Sequence, residues 1–169
     1  MSDPLLQELM DQVRSRFYGK YRGVVTDVDA STMRIKAAVP SVLPQGGTGW
    51  CMPCVPYAGP QVGFVMLPEV GSGVWIEFEG GDVSYPIWVG MYWSSGDIPS
   101  DASATVKSII TSAGSIEMDN DAGSITITDA QQNTVVLDSS GVTSTSGASN
   151  VAIGTSGVSI NDGSFEVSS

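Results

Sequence analysis

Apolar residues in the last third of the chain come in pairs two apart. The pairs are Ile116/Met118, Ile125/Ile127, Val135/Leu137, Val151/Ile153, Val158/Ile160 and Phe165/Val167, with Val142 as a half-pair. Period two is the spacing of a strand with one covered face. The pairs begin at positions 116, 125, 135, 142, 151, 158 and 165, so they recur every seven to ten residues. Turn-forming clusters separate them: Asp121-Ala122-Gly123-Ser124, Ser139-Ser140-Gly141 and Asn161-Asp162-Gly163. The pattern predicts a repeating ladder of short strands.

The composition of this stretch pulls the other way. Its 62 residues from Ser108 to Ser169 include 14 Ser, 7 Thr and 7 Gly, with no Lys, Arg or Pro. Taken alone, that composition reads as a disordered tail; the strict pairing of apolar residues argues for order. Each repeat offers about two apolar side chains, a thin core for one small chain. Several copies wound about a shared apolar axis, with strand edges paired between chains, solve both problems. The expectation is an obligate, intertwined homotrimer. Its axis core would be Ile116, Met118, Ile125, Ile127, Val135, Leu137, Val151, Ile153, Val158, Ile160, Phe165 and Val167.

All four Trp and all five Tyr lie at or before Trp93, which places a globular part at residues 20–93. Ahead of it, Ser2 or Asp3 is fit to cap a helix with Pro4 at its first position. Leu5, Leu6, Leu9, Met10, Val13 and Phe17 then fall on one face at helical spacing, which predicts an amphipathic helix over 4–18. That face packs on its own domain, or docks on a neighbour or partner. Strands are predicted at 21–26, 33–39, 50–55, 74–79, 82–85 and 86–92, with Asp27 to Ala30 as the first turn. Short strands without helices over about 70 residues predict a small closed barrel of OB type. The fold class is mostly β. A helix over 1–19 precedes an OB barrel over 20–93, a linker over 94–106 and a trimeric β-helix or β-prism over 107–169.

The chain carries a net charge of −11, and the tail beyond Lys107 supplies seven acids and no base. Such a surface repels nucleic acid and anionic membranes. The start lacks a basic segment followed by an apolar core, and no run approaches the ~20 apolar residues of a membrane helix. The expected place of synthesis is the cytoplasm, with no signal peptide.

Trp50-Cys51-Met52-Pro53-Cys54 has redox-motif spacing. That chemistry needs the first Cys at a helix N-terminus, and Pro56, Gly59 and Pro60 leave no room for a helix. A structural zinc site wants four Cys or His ligands; the chain has two Cys and no His. Glu77/Glu79 and Asp27/Asp29 are carboxylates two apart, as acid–base work could use, but a solvated face or turn explains them. An OB groove for oligonucleotides needs bases among its aromatics, and residues 20–93 hold four bases against six acids. No catalytic, cofactor or metal residue is expected.

Several segments carry a resemblance. They are Tyr21-Arg22-Gly23-Val24-Val25, the run from Trp50 to Gly59, Gly63-Phe64, the run from Leu67 to Asp82, and Pro86-Ile87-Trp88-Val89-Gly90. This pattern resembles the OB domain of baseplate central-spike proteins, the baseplate assembly protein V family of contractile phage tails and related injection machines. The resemblance implies a homotrimeric structural spike in the tail baseplate, not an enzyme. Its OB ring plugs the hub protein, and its β-helical rod is driven through the target envelope, touching the membrane only transiently. It implies that the N-terminal helix faces the hub or the tube interior. The linker has no room for the lysozyme domain of some relatives, and no His is present for an iron-binding tip. A separate tip protein of PAAR type is therefore expected at the end near Phe165 to Ser169. The alternative is a soluble OB module for oligonucleotides or saccharides with a flexible acidic tail.

Overall fold

The alternation of Val74, Ile76 and Phe78 with Trp75 and Glu77 lies at the centre of the first of two units. Its three apolar members are buried and the other two half-buried. The structure is a computed structural model that describes residues 4–100 and 102–168. It divides into Met1–Ile98 and Pro99–Ser169.

The first unit begins with α1 (Pro4–Arg14), followed by β1 (Tyr21–Asp29), β2 (Arg34–Ala38), β3 (Met52–Pro53), β4 (Ala58–Gly59), β5 (Val62–Gly63), β6 (Gly73–Phe78) and β7 (Pro86–Tyr92). Five strands form one sheet in the order β2-β1-β6-β7-β3, antiparallel except for the parallel β3–β7 pair. Register breaks at Val25/Asp27 and at Trp75/Ile76 are the kind of bulge that bends a strand. Cys51 closes the curl: its N–H donates to the Ile35 carbonyl at 2.8 Å, while Met52 and Pro53 pair with β7. Inside lie Val25, Ile35, Ala37, Val39, Cys51, Val74, Ile76, Phe78 and Trp88. The hydroxyl of Thr48, also buried, accepts the Ala37 N–H at 3.0 Å.

Four local expectations are corrected. Asp27 to Asp29 continue β1, and the turn falls just after them because Asp29 binds Ser31 and Thr32. The strand expected over 50–55 shrinks to Met52–Pro53, since Pro53 and Pro56 have no N–H to donate. Residues 82–85 are a turn, in which the Asp82 carboxylate accepts the Ser84 N–H at 3.0 Å. The helix ends at Arg14, because Phe17 leaves the helical course to bond Gly81 and pack on the barrel. The caps expected at Ser2 or Asp3 lie outside the described residues.

The second unit is a single sheet. Its strands are β8 (Val106–Thr111), β9 (Gly114–Asp119), β10 (Ser124–Asp129), β11 (Thr134–Asp138), β12 (Gly141–Ser146), β13 (Ser149–Gly154), β14 (Gly157–Ile160) and β15 (Phe165–Ser168). Each pairs antiparallel with the next, so spatial order equals chain order. The hairpins are tight. Gly141 enters β12 at φ 132°, and a Cβ there would run into the Ile153 carbonyl oxygen, so glycine is required by both conformation and space.

Candidate assembly surface

Strand register decides which side chains of the second unit meet. Residues directly opposite in an antiparallel pair share a face. One row across the sheet runs Ile109, Ile116, Ile127, Val135, Ser144, Val151, Ile160, Phe165. The next runs Lys107, Met118, Ile125, Leu137, Val142, Ile153, Val158, Val167. All twelve residues assigned from sequence to a shared core thus lie in two adjacent rows on one face. Val142, the half-pair, and Ile109 bring the apolar members of the rows to fourteen. Ile109 escaped the sequence reading because its strand breaks the pairing rule with Lys107 where an apolar residue should stand. Val142 is a half-pair because its row-one counterpart is Ser144. The opposite face carries Ser108, Glu117, Thr126, Val136, Thr143, Ala152, Ser159 and Glu166.

Among the described residues of the second unit, no element packs over the apolar rows. Most of their apolar side chains are exposed, Phe165 at 60% and Ile153 at 52%, while Val135, Val158 and Ile160 are half-buried. Fully burying one such side chain is worth roughly 1.5–3 kcal/mol, and monomers rarely leave a contiguous apolar patch beyond a few hundred Å² in water. The backbone needs less help. Strands β9 to β14 have both edges paired within the chain. What this face lacks is side-chain packing, whereas open edges remain only on β8 and β15.

The acids of the ladder are largely turn residues. Asp119 accepts the N–H of Asp121 and Ala122, Asp138 that of Ser140, and Asp129 those of Gln131 and Asn133. The Asn133 side-chain amide holds the Asp129 carboxyl below the ordinary value. In the barrel, the hydroxyls of Ser31 and Thr32 do the same for Asp29. For Asp82 the cause is the Ser84 N–H, helped by Arg16 at 3.1 Å. Of the carboxylate pairs, Asp29 serves its turn, and Glu77 pairs with Lys20 at 2.8 Å.

The remaining sequence candidates separate. Leu5, Leu6, Leu9, Met10 and Val13 stay together on α1 and are exposed. Phe17 does not join them; it packs edge-on against Tyr21 and Phe78. Cys51 is fully buried with its sulfur 3.1 Å from the Thr48 hydroxyl, and burial pushes its thiol up. Cys54 is exposed, and both thiols are free. Trp50 lies under the Lys36 ammonium at 4.6 Å, and Arg22 stacks on Trp75 and Tyr92. Among the described residues no group of three or more Cys, Asp or Glu is placed to hold a metal, and no helix is long and apolar enough to cross a membrane.

Comparison with known families gives two adjoining matches. Residues 21–93 match the type VI secretion system/phage-baseplate injector OB domain. Residues 107–166 match the phage baseplate V C-terminal trimerisation domain. No curated protein matches the chain. The first match takes in the curled sheet with its buried core, and the second the ladder with its uncovered rows, in the order expected of one protein; the chain belongs to the phage baseplate V family.

Proposed function

We propose that the protein is the homotrimeric central spike of a contractile tail or injection baseplate, and that the second unit is its trimer core. Three copies bring their two-row faces to a common axis, so that Ile127 meets its counterparts and the face leaves water. The observation that carries this reading is the continuous apolar face, uncovered in its own chain. The barrel unit plugs the hub, and the ladder, stiffened by hydrogen bonds along eight strands, transmits force into the target envelope when the sheath contracts. The outer edge of β15, the strand that carries the exposed Phe165, is where a separate PAAR-type tip protein would seat; Ser169 lies outside the described residues. The role is structural, and the particle is where the protein works.

Light scattering on a sizing column tests the core of this proposal. The expected native mass is three times the 17.6 kDa of the chain. A mass of one chain would overturn it.

A further inference from the structure

Two apolar surfaces of the first unit face water. One is α1, where Leu6, Leu9, Met10 and Val13 are exposed, Val13 at 69%. Leu9, Met10, Val13 and Arg14 line a shallow groove on it. A helix of 11 residues is marginal alone in water and takes its stability from packing. The other surface is the lobe around β4 and β5, residues 57–70. It exposes Tyr57, Val62, Phe64, Val65, Met66 and Val70, Val65 at 71%, and Glu69 is its one charged residue.

Symmetry constrains what these surfaces meet. Away from the axis of a ring of three, where equivalent residues cannot meet, each contact joins one patch of a copy to a different patch of the next. Each copy must therefore offer two complementary surfaces, and the first unit offers an apolar helix face and an apolar lobe. Charge agrees. Arg14 borders the helix groove and Glu69 sits in the lobe, and neither belongs to the two salt bridges found among the described residues, Arg16–Asp82 and Lys20–Glu77. Copies already joined through their ladders meet at high effective concentration, so a contact too small to hold by itself suffices.

We infer that α1 of one copy packs its Leu6, Leu9, Met10 and Val13 face on the 57–70 lobe of the next, with Arg14 set against Glu69, and that three such contacts close a ring of barrels. This rests on the trimer reading above. It replaces the hub with a second copy as the occupant of α1.

The test uses the full-length protein carrying Cys54→Ser, so that buried Cys51 is its only natural thiol. Val13→Cys and Val65→Cys are introduced together and, separately, on two co-expressed chains. Mild oxidation should link the double variant into covalent trimers and the mixed chains into covalent dimers on a denaturing gel, with no link in either single variant alone. Arg14→Glu should reduce the yield, and adding Glu69→Arg should restore it. A trimeric native mass without any link, and with the Val13→Cys thiol freely reactive, overturns this contact and leaves the trimer standing. Protection of that thiol only inside assembled particles gives α1 to the hub and also overturns it. A native mass of one chain overturns both readings.

Discussion

Ser144 is the polar member of an otherwise apolar row, standing between Val135 and Val151. A hydroxyl taken from water without a partner is costly, on the order of 1–3 kcal/mol by protein data. Ser144→Val should therefore raise the heating needed to separate the subunits, read as persistence of the trimer on a detergent gel. Ile127→Asp does the reverse, bringing three carboxylates to one level of the axis. It should abolish the trimer in light scattering, and an unchanged mass would show that the rows do not meet. Two of the barrel's four tryptophans differ in the same residue-by-residue way. Trp88 is 4% exposed and Trp50 41%, so Trp88→Ala should cost about 3–5 kcal/mol. Trp50→Ala should cost about 0.5–1 kcal/mol, mainly the contact with Lys36. Thermal unfolding of the two variants checks the order. The thiols are distinguishable too: burial raises the Cys51 pKa and keeps it protonated. A maleimide should therefore label Cys54 alone in the native protein and both cysteines in denaturant.

At the scale of single elements, the turns carry the pH dependence. The Asp29, Asp82 and Asp129 carboxyls are lowered from the ordinary 3.8. Their contribution is present above that value and is lost as pH falls below it toward the lowered folded values. The parent should lose thermal stability on acidification through this window, and Asp129→Ala should lose less over the same step, measured by melting at neutral and acid pH. Gly141→Ala should weaken the β12–β13 hairpin by more than the usual exposed glycine substitution, because both its φ and its lack of a Cβ are used. Strand existence was legible wherever alternation was strict, as in β6, β10 and β13. Strand ends were not. Asp29 reads as a turn former, yet it closes a long strand bent by the bulge at Val25/Asp27; Asp82 falls in a stretch that reads as a strand, yet it sits in the tight connection between Phe78 and β7. The end of α1 was hidden for a related reason. Phe17 fits the helical spacing, but the barrel core competes for it and wins through Tyr21 and Phe78.

At the scale of the whole molecule, the apolar rows were legible because register in a meander follows from hairpin succession, and each pair of apolar residues lands opposite the next. The parallel pairing of β3 with β7 was not, since it depends on how a Pro-containing segment crosses the barrel rather than on any periodic signal. The same succession of neighbours bears on how the protein comes to be made. Every pairing in the ladder joins strands that adjoin in sequence, so each step closes only a short loop. Low contact order of this kind favours rapid folding, which lets strand pairing run ahead of the encounter with another copy. Newly made subunits would then carry a finished, sticky face through the cell, and successful production would turn on how fast three of them collide relative to misdirected clumping.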